Sequence, residues 1–254
     1  ITCISDQNIW QEGIPPNSGL GWNSPTVVVM RPLETRKHWY LLLDSDAASL
    51  ISNIKNPIIQ EAKLAAHVLL RVLLSKIDGG HPSTHSISKN HLGRPSPRLL
   101  PGWSCSLSHD PCGVAVAIGI ASERESHVGV DLCRPLDKFN GLSFILHEAE
   151  KRSLSQDKKV KASQLAQYWA SKEALLKRWG WGLIPNLNLI SAIPGHQYSQ
   201  LFQTPSQAEP AMTSAISSKV LDGGVAVALS HHPNHVAEWW RTNTAELDRT
   251  AFVS

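Results

Sequence analysis

Two stretches of this chain carry apolar residues at helical spacing, and each lies among short β-branched runs. That arrangement narrows the possible folds more than any other feature. In residues 60–74, Leu64, Val68 and Val72 recur on one side of a helix, with Ala65, Leu69 and Leu73 beside them. Residues 164–179 form the second stretch, stopped by Gly180 and Gly182. Thr26–Met30 and His38–Leu43 read as strands, and Asp44-Ser45-Asp46 as a helix start. Ser104–Leu107 and Gly113–Ile120 read as strands on either side of a turn, Ser108-His109-Asp110-Pro111. Residues 78–101 carry Gly79, Gly80 and several prolines and read mainly as loop. His127–Leu132 reads as a strand, Phe144–Leu154 as a helix and Gly223–Leu229 as a late strand, while the last twenty residues read as peripheral. The order strand, helix, strand, strand recurs loosely in each half. The expectation is an α+β fold of two similar subdomains, 1–125 and 126–254, each a long helix on a small antiparallel-rich sheet. They would meet near the polar residues 121–128.

The chain has 254 residues, 42% of them hydrophobic, enough to bury roughly 70–75% of the unfolded surface. A net charge of +3 suits an anionic ligand or an acidic protein partner. It does not suggest nucleic acid, whose binders carry clustered basic stripes. Cys3, Cys105, Cys112 and Cys133 form no C-x-x-C pair, so neither a zinc site nor a disulfide framework is expected. They read as reduced thiols of a cytoplasmic protein. No run approaches the roughly 18–20 apolar residues of a membrane span, and no secretory leader is legible.

The chemistry concentrates in Tyr168-Trp169-Ala170-Ser171-Lys172-Glu173-Ala174-Leu175-Leu176-Lys177. Trp169, Glu173 and Lys177 are four apart, so they share a helix face. Such a Glu–Lys pair is, on its spacing alone, also what a solvated helix surface carries. Asp131 closes the apolar run Val128-Gly129-Val130, where a carboxylate can face a ligand or simply cap a turn. Together Asp131 and Glu173 could hold a hard cation such as magnesium, which takes one or two carboxylates plus phosphate oxygens and water. His109, between two apolar segments, could donate to a phosphate or serve the fold.

Four segments in order resemble the 4'-phosphopantetheinyl transferase superfamily, in its long pseudo-dimeric type. The resemblance spans roughly residues 60–190. Gly93-Arg94-Pro95 resembles the family's G-K-P turn, and Ser106-Leu107-Ser108-His109 its N-x-S-H segment. Val128-Gly129-Val130-Asp131 resembles its (V/I)-G-(V/I)-D strand. Trp169-Ala170-Ser171-Lys172-Glu173-Ala174 with Lys177 resembles its W-x-x-K-E helix, followed by a G-x-G-L tail at Gly180-Trp181-Gly182-Leu183. The resemblance implies the family's fold, with its two subdomains in a pseudo-two-fold arrangement. It also implies transfer of the phosphopantetheine arm of coenzyme A to a serine of an apo acyl or peptidyl carrier protein, a holo-acyl-carrier-protein synthase activity. Such carriers serve fatty acid, polyketide or nonribosomal peptide synthesis. Asp131 and Glu173 would ligate Mg2+. Glu173 would also accept the serine proton, and Lys177 would steady the leaving 3',5'-ADP. Lys172 would help at the phosphates. Lys63 and His109 would contact the 3'-phosphate, and Arg94 and Pro95 would line the adenine side. Glu150 matches a common family glutamate. No nucleic acid or membrane partner is implied, and the internal duplication favours a monomer.

The chain departs from the pattern at Cys133, where many relatives carry a second acid. A thiol is a poor magnesium ligand, so a water is expected in its place. That departure keeps a second reading open, a non-catalytic relative that binds coenzyme A or the carrier. Arg152, Lys158, Lys159 and Lys161 form a basic cluster before the second helix, suited to an acidic carrier.

Overall fold

A computed structural model describes residues 10–16, 22, 24–89, 93–121, 127–137, 142–180, 187–193, 197–199 and 213–252. These residues make a mixed α+β structure in four layers: helix, sheet, sheet, helix. The first sheet runs β1-β11-β2-β6-β5, from β1 (Gln11–Glu12), β11 (Glu238–Thr242), β2 (Thr26–Met30), β6 (Gly113–Ile120) and β5 (Trp103–Asp110). The second runs β7-β10-β9-β8, from β7 (Gly129–Cys133), β10 (Ala226–His231), β9 (Thr213–Val220) and β8 (Gln197–Ser199). A short ribbon pairs β3 (Ile87–Lys89) with β4 (Pro95–Pro97). Helices α1 (Ser45–Ser52), α3 (Leu142–Ile145), α4 (Glu148–Ser153) and α6 (Thr244–Phe252) are short. Helices α2 (Pro57–Asp78) and α5 (Lys158–Trp179) span 22 residues each. No helix among the described residues is long and apolar enough to cross a membrane.

Both long helices begin and end on the residues that helix chemistry asks for. Asn56 accepts from the N–H groups of Ile58 and Ile59, and Asp157 from those of Lys159 and Val160. Each thereby satisfies donors that have no partner inside the helix. Gly79 and Gly180 close the two helices in the left-handed conformation at φ 74°, which costs a glycine no Cβ clash.

Strand alternation sorts the apolar residues into layers. Val28, Met30, Val114, Val116 and Ile118 face α2, among Leu69, Leu70 and Leu73. Val27, Val29, Ala115 and Ala117 point the other way and meet Val130, Leu132, Val227 and Leu229 of the second sheet. On the far face of the second sheet, Ala226 and Ala228 pack against Ala166, Ala170 and Ala174 of α5. The face between the sheets is built small: Ser104, Ser106 and Ser108 of β5 stand opposite Gly119, Ala117 and Ala115 of β6. A Cβ on Gly119 would lie 2.9 Å from Val128. The sheets therefore approach closely enough for three serine hydroxyls to reach backbone. Ser104, Ser106 and Ser108 accept from the N–H groups of Val128, Val130 and Leu132 at 3.1, 3.0 and 3.2 Å. The open edge of β7, the end strand of its sheet, is thus satisfied by side chains rather than by another strand.

Several expectations need correction. His38–Leu43 is no strand: Lys37–Leu42 is a 3₁₀ turn that buries Trp39 and Leu42 under α2. β5 runs on to Asp110, so His109 lies in a strand rather than a turn. Residues 144–154 split into α3 and α4, and the loop-like 78–101 holds the β3–β4 ribbon. The last twenty residues are not peripheral. β11 pairs in parallel with β2, Trp239 is buried between the sheets, and Leu247 and Ala251 are fully buried in the α2 core. The two sheets meet face to face, and β11 and α6, from the end of the chain, join the first sheet and the α2 core; of residues 121–128, 122–126 lie outside the described residues.

A Cβ on Gly129 would sit 2.0 Å from the Ala174 carbonyl and 2.4 Å from the Arg178 nitrogen, both backbone atoms of α5. Gly129→Ala should therefore cost about 3 kcal/mol, the upper range for overpacking, and lower Tm by roughly 6–12 °C. Differential scanning calorimetry beside Gly102→Ala, whose Cβ meets nothing within 4 Å, checks this.

Candidate active site

The close approach at Gly129 lays α5 directly on β7. Gly129, Asp131 and Cys133 alternate toward the helix, and Trp169, Glu173 and Lys177 form a half-buried stripe along it. Asp131 is buried, and its Oδ1 takes two donors at 2.7 Å, the Ser108 hydroxyl and the Lys177 ammonium. Lys177 Nζ also donates to the Val130 carbonyl at 3.1 Å and reaches the Leu107 carbonyl at 3.5 Å. One ammonium thus bridges β7 of the second sheet and β5 of the first.

Glu173 is the unsatisfied member. Its Oε1 is buried and has no hydrogen-bond partner. Burial, and then the Asp131 charge, push its carboxyl up to about 7, against the opposing pull of Lys177. A buried carboxylate beside a second carboxylate is costly unless a cation joins them. Among the described residues no cluster of three or more His, Cys, Asp or Glu side chains could hold a metal. The oxygen pair Asp131 and Glu173 nevertheless fits magnesium, which commonly takes one or two protein carboxylates and completes its shell with water and phosphate oxygens. Cys133 does not fit. Its Sγ donates to the Arg134 carbonyl at 3.3 Å, and burial, then Asp131, push the thiol up to about 12. It stays protonated at neutral pH.

A cleft of about 230 Å³, sharing Lys177 with this carboxylate pair, opens among α2, the β3–β4 ribbon, β5 and the end of α5. Lys63 and His67 of α2, Lys89 of β3, His109 of β5 and Lys177 of α5 line it, with Arg94 and Pro95 at its edge. Burial, then Lys63 and Lys177, lower the His109 pKa, and burial takes His67 down to about 3. Burial first, and the nearby positive charges second, hold both imidazoles neutral; a cleft lined by Lys63, Lys89 and Lys177 suits a polyanion. A larger concavity of about 530 Å³, between Arg31 and Arg241, gathers none of the candidate site residues.

The remaining sequence candidates lie as follows. Arg94 donates to the Lys177 carbonyl at 3.2 Å and to that of Arg178, so its guanidinium caps the C-terminal end of α5 while lining the cleft. Lys172 is not brought to the cleft. Its fully buried ammonium donates to Glu150 Oε2 at 2.7 Å, to the Leu187 carbonyl at 3.2 Å and to that of Ile145. Glu150 in turn accepts from the N–H groups of His147 and Ala192. The pair ties the segments around α3 and residue 187 to α5. The sequence pattern marks neither His67 nor Lys89, and it marks Ser106 and Ser108 only as part of the segment before His109. His67 follows Lys63 by four, so their shared face was legible, and the serines alternate along β5. Lys89 lies in a segment that reads as loop.

Residues 127–230 match the family model of the 4'-phosphopantetheinyl transferase superfamily. The match covers β7, α5, β9 and β10, and with them Asp131, Glu173 and Lys177. The segment is therefore similar to transferases of the phosphopantetheinyl type. No curated protein matches the chain. The remainder of the superfamily tail expected at residues 181–183 lies outside the described residues.

The raised Glu173 carboxyl has a measurable consequence in metal-free protein. Its folded pKa, about 7, lies above the ordinary 4.5, so between those values the native state holds a proton that the unfolded chain has released. Stability from this group falls as pH rises through that window and is level above it. In EDTA, Glu173→Gln should remove this component. The Tm difference between variant and wild type should therefore grow in the variant's favour from pH 5 to 7.5.

Proposed function

We propose that this protein transfers the 4'-phosphopantetheine group of coenzyme A to a serine of an apo acyl or peptidyl carrier protein and releases 3',5'-ADP. The observation that carries this reading is the buried Glu173 Oε1, which has no hydrogen-bond partner. The carboxyl is close enough to feel the charges of Asp131 and Lys177, the latter a wall of the cationic cleft, and lies inside the segment similar to phosphopantetheinyl transferases. Asp131 and Glu173 would hold magnesium, which when bound neutralises charge on the pyrophosphate oxygens. Lys63 and His109 bind the 3'-phosphate side of coenzyme A, and Arg94 and Pro95 border its adenine. Lys177 turns from Asp131 toward the phosphates, where it offsets the charge that develops on the leaving ADP. Glu173 accepts the proton of the attacking serine hydroxyl directly or through a water. Lys172 acts from behind, holding Glu150 and the α3 segment, rather than at the phosphates.

The same reading makes the two halves pseudo-repeats. Each has a 22-residue helix that begins on a side-chain cap, ends on a left-handed glycine and packs on a sheet. One copy then supplies both walls of the cleft, and a monomer suffices. The protonated thiol at Cys133 favours a second reading, a relative that binds coenzyme A without transferring it.

Intact-mass spectrometry of an apo carrier protein incubated with this protein, coenzyme A and Mg2+ decides between them. The expected result is a gain of one phosphopantetheine, lost with EDTA and reduced at least about 100-fold by Glu173→Gln. Coenzyme A binding without any gain on several unrelated carriers would establish the second reading.

Lys158 and Lys159 open α5 as exposed residues and suit an acidic carrier. Charge reversal at both should raise KM for the carrier several-fold and leave KM for coenzyme A unchanged in steady-state assays.

A further inference from the structure

The three serines on the inner face of β5 are not equivalent. Ser104 and Ser106 accept a backbone N–H from the strand they face. Ser108 accepts from Leu132 N–H at 3.2 Å and also donates its own proton to Asp131 Oδ1 at 2.7 Å. The hydroxyl is buried, and each bond fixes the direction of the other: the backbone donor occupies a lone pair and leaves the O–H aimed at the carboxylate. Asp131 Oδ1 receives a second donor, Lys177 Nζ, at 2.7 Å. Two donors on one oxygen set the plane of the carboxylate and leave Oδ2 to present its lone pairs elsewhere.

Lys177 cannot hold that orientation through a reaction in which it turns to a phosphate. Ser108 can, because its backbone bond does not depend on the substrate. It stands on β5 of the first sheet, whereas Asp131 stands on β7 of the second. The carboxylate is therefore aligned only where the two sheets are docked. We propose that Ser108 is a positioning residue that presents Asp131 Oδ2 to the metal and makes metal affinity depend on the docking of the two sheets. This rests on the reading of Asp131 and Glu173 as magnesium ligands.

The test is Mn2+ binding by electron paramagnetic resonance in the presence of coenzyme A, with the Mg2+ half-saturation of transfer as a second readout. Wild type, Ser108→Ala, Ser108→Thr, Ser104→Ala and Asp131→Asn are compared, with Tm measured for each. Ser108→Ala should weaken Mn2+ about ten-fold or more, the usual range for groups that orient metal ligands. Ser108→Thr, which keeps the hydroxyl, should stay within about three-fold of wild type on the same scale. Ser104→Ala should lower Tm and leave Mn2+ affinity unchanged. Should Ser108→Ala fail to fold, Ser108→Cys, nearly isosteric with a weak donor, should still weaken Mn2+ several-fold. Wild-type affinity in Ser108→Ala or Ser108→Cys, with binding lost in Asp131→Asn, would overturn this proposal alone and leave Ser108 a stitch between sheets. Mn2+ affinity insensitive to Asp131→Asn would overturn the functional reading, and this proposal with it.

Discussion

Everything at the site depends on how the open edge of β7 is satisfied. A strand edge carries N–H groups that must find partners when buried. Here Val128, Val130 and Leu132 donate to three serine hydroxyls of a different sheet. A continuous ladder would have merged the two sheets into one and placed β5 and β7 side by side. The serines instead let the sheets lie face to face, and the glycine and alanines opposite them let that approach be close. The arrangement joins the halves through bonds that require both alternation along β5 and small residues along β6.

Two charged groups inherit their properties from this joint. Lys177 reaches the carbonyls of Val130 and Leu107 as well as Asp131 only because β5 and β7 lie against each other. Glu173 Oε1 is buried on a helix that lies on Gly129 without a side chain between them. Its carboxyl is then raised by desolvation first and by Asp131 second, so the geometry that costs stability in the metal-free protein is the one that would reward a cation. The conflict is local and suits a site that binds charge, where sequence and fold commonly disagree with simple stability.

The buried Lys172–Glu150 pair is the opposite case. It lies within hydrogen bonds to four backbone groups, two carbonyls and two N–H groups. Such a pair contributes little net stability compared with apolar residues of the same volume, yet losing either partner leaves a bare buried charge. The resemblance implies a phosphate role for Lys172, the neighbour of Glu173 in sequence. On a helix adjacent residues point about 100° apart, which leaves Glu173 on the half-buried stripe with Lys177 and sends Lys172 to the core.

Local pattern by itself determined the middle of each long helix, the Gly180 stop, the strands β2, β6 and β7, and the shared face of Trp169, Glu173 and Lys177. These follow from periodicity and capping, which act over a few residues. Tertiary structure decided which of the marked residues meet. Sequence could not reveal that β11 returns to the first sheet, since strand partners distant in the chain leave no local signal. Nor could it separate His109 in a strand from His109 in a turn, because β5 continues through polar residues whose partners lie on other elements. Cys133 was legible as a departure; that its thiol is buried and held protonated required the packing of α5 on β7. The physical reason is the same throughout: alternation and helical spacing tell which way a side chain points from its own element. What it points at depends on how closely two elements approach, and here that was set by Gly129, Gly119 and the serines between the sheets.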